Sequence, residues 1–186
     1  METVQRKQTT GRKTLDMVYI AVFAGVIAIC SWISVPTTIP FTLQTFAVFA
    51  AVGILGGRRG TLSILIYILL GIIGLPVFAG FKGGIGAILG NSGGYIVGFL
   101  VAALIMWGME TKLGEKSWSL FASMVVGLIA CYTFGSVWFQ VMYARNSGAI
   151  GMMGVLSMCV FPFIIPDLLK ITLAFAVTKQ LKRYVQ

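Results

Sequence analysis

Histidine is absent from this chain and acids nearly so: Glu2, Asp16, Glu110, Glu115 and Asp167 are the whole carboxylate complement. Without histidine there is no imidazole base, no His-containing triad and no imidazole metal site. Five scattered carboxylates are also too few for hydrolysis or phosphoryl transfer, which rely on clustered acids or the metals they hold. Cys30, Cys131 and Cys159 lie singly inside apolar runs. Without paired spacing they read as small buried hydrophobes, not as disulfide or metal ligands. An enzyme is therefore the least supported class, and neither a metal nor a cofactor is expected. Charge of any sign is scarce, at 10% of residues, where a soluble domain carries about 25%. Such a chain cannot cover a water-facing surface.

What fills it instead is apolar: 58% of the 186 residues are hydrophobic and the mean hydropathy is +0.96. An all-α integral membrane protein follows. In a soluble protein the net charge of +9 would suggest a nucleic-acid partner. Here the basic residues flank apolar segments, so they speak of membrane topology and no nucleic acid is expected. Arg6, Lys7, Arg12 and Lys13 precede the first apolar run. That run is long enough to span, and no small-x-small site clearly ends it, so a signal peptide is not expected.

Residues 1–15 read as a cytoplasmic basic tail and 16–182 as a single membrane domain. Six spans are predicted, at about Asp16–Ser34, Phe41–Leu55, Thr61–Leu75, Tyr95–Met109, Trp118–Tyr143 and Gly151–Lys179. The second and third are short against the ~20 residues a crossing needs. The sixth should break or bend near Pro162 and Pro166. Pro36–Pro40 is a rigid connection, and Gly56-Gly-Arg-Arg-Gly60 a tight basic turn. With both termini cytoplasmic, the inside segments collect Arg6, Lys7, Arg12, Lys13, Arg58, Arg59, Lys112, Lys116, Lys179, Lys182 and Arg183. Only Lys82 and Arg145 fall outside, which satisfies the positive-inside rule. Five or seven spans would spoil that asymmetry.

The stretch Gly71–Tyr95 holds nine of the 23 glycines. Glycine at that density opposes a continuous helix, and non-helical backbone at membrane depth must be buried in protein or line a cavity. The expectation is a Gly-rich extracellular re-entrant loop between the third and fourth helices. Lys170 lies inside the sixth segment, three residues after Asp167, the only acid within a predicted span. Positions i and i+3 share a helix face. Mutual neutralisation would explain the pair structurally. A buried ion pair rarely gains stability over apolar residues, however, and intramembrane charges usually mark a site, so a polar ligand is the stronger reading. Gln44 either reaches such a site or bonds a neighbouring helix. Ala21, Ala24, Gly25 and Ala28 form two small-xxx-small pairs in the first span, which suits internal packing and a docking face equally. Gly84–Gly90 imitates a dinucleotide-binding pattern without the preceding strand, and no P-loop sequence occurs. If ATP drives transport, another subunit must hydrolyse it.

Several blocks occur in order: Pro40-Phe-Thr-Leu-Gln-Thr-Phe46, Gly56-Gly-Arg-Arg-Gly60, Gly74-Leu-Pro-Val-Phe-Ala-Gly80, Gly83-Gly84, Gly90-Asn-Ser-Gly-Gly-Tyr95 with Gly98-Phe99, and Pro166-Asp-Leu-Leu-Lys170. Over roughly residues 14–182 they closely resemble the biotin-specific membrane subunit (S component, BioY family) of energy-coupling-factor vitamin transporters. The resemblance implies a six-helix protein of the prokaryotic plasma membrane that binds biotin tightly from outside. It further implies partnership with a transmembrane coupling subunit and two cytoplasmic ATPases, and toppling in the membrane to release the vitamin inside. The family's Ala-x-x-x-Ala docking pattern is matched by Ala24 and Ala28, with Ala21 and Gly25 beside them, which favours docking.

Biotin offers two ureido N–H donors, one carbonyl, an apolar thiophane and a carboxylate tail. Asp167 can accept from the ureido group. Lys170, Asn91 and the amides of Gly83, Gly84 and Gly93 can donate. Phe78, Phe81, Tyr95 and Trp138 can enclose the ring, with Gly80 in the same loop and Gln44 nearby. Which polar group meets which end stays open at this point. So do a binding subunit for another vitamin and a stand-alone proton-coupled carrier.

Overall fold

The computed structural model describes backbone at residues 2–114 and 116–185, with side chains from Lys13 onward except at Asn146, Ser147 and Val185. Glu115 and the side chains of Glu2, Arg6, Lys7 and Arg12 thus lie outside the described set. Eight helices and one small hairpin follow in order among the described residues. Helix α1 is Glu2–Trp32, so the basic tail shares its backbone helix with the first span. Strands β1 (Ser34–Val35) and β2 (Phe41–Thr42) pair antiparallel, Ser34 opposite Thr42. The proline-rich connection is the turn of this hairpin, where a residue without N–H costs no ladder bond. Then come α2 (Gln44–Leu55), α3 (Gly57–Ile72), the one-turn α4 (Ile85–Ile88), α5 (Gly93–Leu113), α6 (Ser117–Ser147), α7 (Met152–Cys159) and α8 (Phe161–Val185).

Four stretches are long and apolar enough to cross a bilayer: Lys13–Trp32, Gly93–Leu113, Ser117–Arg145 and Phe161–Tyr184. The 12 residues of α2 would extend ~18 Å at 1.5 Å per residue, well below the ~30 Å hydrocarbon thickness. That helix is almost wholly buried and packs against α1, α3, α5 and α8. An all-round apolar helix belongs in the middle of a bundle.

Two boundaries differ from the sequence expectation. The basic turn shrinks to Gly56 alone, at φ +82°, and Gly57-Arg-Arg-Gly60 is already the first turn of α3. The Glu110 carboxylate at the end of α5 accepts the Gly57 N–H at 2.6 Å, supplying a partner that an N-terminal helix donor otherwise lacks. The sixth segment does break, but at Val160, before either proline. Pro162 sits in the first turn of α8, where a missing N–H costs nothing. Pro166 is accommodated inside that helix.

At the end of the bundle carrying Gly57, Arg59 pairs with Asp16 at 2.8 Å and Lys182 approaches Glu110 at 4.0 Å. The α2–α3 junction therefore lies level with the early part of α1 and the ends of α5 and α8. Toward the opposite end α5 and α6 approach closely. A Cβ on Gly135 would lie 2.3 Å from the Tyr95 ring, and one on Gly94 2.2 Å from Trp138. Each helix seats an aromatic on the other's glycine.

Candidate ligand-binding site

The hairpin turn, the segment between α3 and α5, and the inner faces of α2, α5, α6 and α8 surround a cavity of about 590 Å³. That is the ordinary size of a small-molecule pocket. Its buried charged pair comes from α8. Asp167 and Lys170 are 4% and 7% exposed, and Lys170 Nζ lies 2.8 Å from Asp167 Oδ1. Tyr132, from α6, donates its hydroxyl to Asp167 Oδ2 at 2.6 Å. The Phe41 ring of β2 lies 3.8 Å from Lys170 Nζ, the geometry of a cation–π contact. Both carboxylate oxygens thus have one partner each, with lone pairs to spare, while the ammonium keeps donors unspent.

Asn91, just before α5, also lines the cavity, and its side-chain carbonyl is buried with no hydrogen-bond partner. Buried polar atoms left in that condition are uncommon and cost about 1–3 kcal/mol, so a missing donor is the natural explanation. Gln44 resolves its two alternatives by satisfying both. It lines the cavity, and its Nε2 donates to the Tyr67 hydroxyl of α3 at 3.0 Å. Tyr67 in turn meets Phe78 edge-on at 5.5 Å, and Phe78 sits where a side chain on Gly71 would otherwise be. Tyr95 lines the wall with its hydroxyl 3.3 Å from Ser136.

Of the residues expected in the site, Gln44, Phe78, Gly83, Asn91, Tyr95, Asp167 and Lys170 converge on this cavity. Gly80, Phe81, Gly84 and Gly93 do not line it, and neither does Trp138. The Gly84 N–H bonds the Gly71 carbonyl at 2.7 Å and the Gly93 N–H bonds Gly90 at 3.1 Å. Buried backbone must find partners, and these amides find them within the chain. Phe81, 64% exposed, has turned outward to stack on Trp32 at 5.1 Å. Trp138 instead donates to the Gly90 carbonyl at 3.1 Å. Gly80 holds a positive φ of +70°, a turn requirement.

The two small-residue pairs of α1 also part company. Ala24 and Ala28, 2% and 6% exposed, are packed into the core cluster. That pair lies in the packing between α1 and its neighbours, as a small-residue strip allows. Ala21 and Gly25 are exposed.

Several lining residues were missed. Thr37, Thr38, Thr42 and Thr45 belong to or flank the hairpin, and the Pro40–Phe46 block was the signal that could have brought in Thr42 and Thr45. Tyr132, inside a long uniform helix, carries no local signal.

A helical membrane bundle enclosing a charged, hydroxyl-bearing and aromatic pocket, with no metal-holding cluster among the described residues, defines a small-molecule-binding membrane protein. Comparison with known proteins agrees and narrows the class. Residues 4–186 match the BioY family, and the chain belongs to it. It is 36% identical to the biotin transporter BioY of Thermotoga maritima, over 90% of this chain and 96% of that one. It is 38% identical to a probable biotin transporter BioY of Pyrococcus horikoshii, over 91% and 98%. In structure it resembles the S component for biotin from an ECF-type ABC transporter, with a TM-score of 0.81, 26% identity and 93% of each chain covered. It is a multi-pass membrane transport protein, not an enzyme.

Proposed function

We propose that this chain is the biotin-binding subunit of an ATP-driven uptake transporter of the energy-coupling-factor type. The observation that carries the reading is the convergence of Asp167, Lys170 and the unpartnered Asn91 carbonyl on one cavity, in a chain whose relatives transport biotin. Asp167 and Asn91 accept from the two ureido N–H groups, and Lys170 donates to the ureido carbonyl. Phe78, Phe99 and Tyr95 supply apolar wall for the thiophane. The valerate tail then runs toward the exposed rim formed by the hairpin turn and residues 82–83. Biotin is cargo here, and no resident cofactor is invoked.

Six helices cross the membrane in this reading, with both termini cytoplasmic. The level ends at Asp16, Arg59, Glu110 and Lys182 support full crossings for α2 and α3 despite their length, and a locally thinned bilayer accommodates them at modest cost. The Gly-rich segment then faces outside as part of the vitamin pocket. A membrane coupling subunit and two cytoplasmic ATPases supply the energy, the chain itself having no P-loop. Calorimetry on the purified protein tests the core of the proposal. Tight binding of biotin, in the nanomolar range, is expected. Wild-type protein that gives no heat with biotin but binds another vitamin would sink it.

A further inference from the structure

Lys82 stands apart from the other charges of the cavity. Three charged residues line it, Asp167, Lys170 and Lys82, and the first two neutralise each other at 2.8 Å. Lys82 has no ion-pair partner among the described residues, so the lining carries one uncompensated positive charge. Its position is fixed by backbone: Lys82 and Phe78 form a β-bridge, with the Phe78 N–H donating to the Lys82 carbonyl at 2.9 Å. Phe78 itself is anchored in the core. The cation is therefore tethered to a rigid wall residue, although its own side chain is exposed. Asp167 and Lys170 are buried, whereas Lys82 shares the exposed rim with Thr37 and Thr38.

We propose that Lys82 is a specificity-determining residue that recognises a ligand's terminal carboxylate at the cavity mouth, so that the protein prefers the free acid over its amides. The inference rests on biotin as the ligand and deepens that reading. A carboxylate carried inward would meet Asp167 and lose its hydration. One left at the rim stays wet and meets the single unpaired cation. Thr38, also exposed on the rim, offers a hydroxyl donor to the same group.

Equilibrium binding of biotin and of biotin amide, whose tail ends in an uncharged carboxamide, tests this on the full chain in lipid nanodiscs. Wild-type protein should prefer biotin. Lys82→Ala should weaken biotin roughly two- to fivefold, the size of an exposed ion pair, and leave the amide unchanged, so that the preference collapses. Lys82→Arg should keep it, and Lys82→Glu should fall below Lys82→Ala for biotin alone. Raising the salt should narrow the wild-type preference. Equal wild-type affinity for acid and amide, or equal weakening of both by Lys82→Ala, overturns the role of Lys82 and leaves the biotin reading standing. Wild-type protein that binds neither molecule overturns both.

Discussion

At the scale of single residues, the Asp167/Lys170 pair separates a stabilising from a functional role by experiment. Asp167→Asn keeps an acceptor for Tyr132 but strands the Lys170 ammonium in a buried site. Breaking a buried pair from one side costs about 3–5 kcal/mol, whereas replacing both partners with apolar residues is often neutral. Thermal unfolding without ligand should therefore show Asp167→Asn destabilised and the Asp167→Leu/Lys170→Leu double variant restored. Biotin affinity should drop at least a hundredfold in both. A double variant that regained stability and binding together would make the pair structural only. The pair was legible in the sequence because charge inside an apolar run is conspicuous and i,i+3 spacing is local. Tyr132 was not, since its partnership with Asp167 spans 35 positions and two helices.

At the scale of elements, the Gly-rich segment proves less a loose flap than a folded piece bonded to itself and to α1. Ser31 donates to the Val77 carbonyl at 2.5 Å, Trp32 to Pro76 at 2.8 Å, and Trp32 stacks on Phe81. Its glycines consequently differ in kind. A Cβ on Gly83 would lie 2.3 Å from the Leu75 carbonyl, a backbone atom that cannot swing aside. A Cβ on Gly86, in α4, meets nothing within 4 Å. Gly83→Ala should lower the unfolding midpoint and weaken biotin binding together. Gly86→Ala should leave the midpoint unchanged or slightly raised, since alanine is the better helix residue. Equal midpoints for the two variants would show that the segment can yield at Leu75. Glycine density in the sequence marked the stretch between α3 and α5, but it could not say which amides were already used. Gly84 and Gly93 were expected to donate to a ligand and donate to the chain instead. Hydrogen bonds between residues 13 positions apart, as between Gly84 and Gly71, leave no compositional trace.

At the scale of the molecule, hydropathy revealed the long helices directly, while α2 and α3 were short enough to leave the number of crossings to charge placement. The fold adds an independent constraint. Arg59 bonds Asp16, and Gly57 and Lys182 converge on Glu110, so the tip between α2 and α3 lies level with the early part of α1. A re-entrant hairpin stopping halfway would leave Arg58 and Arg59 in hydrocarbon, which is costly. Full crossings, as proposed above, would put them in water among the other basic residues. Single cysteines at Arg58, Lys82 and Arg145, in a background with Cys30, Cys131 and Cys159 changed to alanine, convert this into a measurement. In intact cells a membrane-impermeant maleimide should label Lys82→Cys and Arg145→Cys. Arg58→Cys should react only after the membrane is opened. Labelling of Arg58→Cys from outside would place the α2–α3 tip on the vitamin-capturing face and rule out six crossings with a cytoplasmic N-terminus. Protection at Arg58 with reaction at the other two would fix the cavity mouth, with Lys82 on its rim, on the side from which the vitamin arrives.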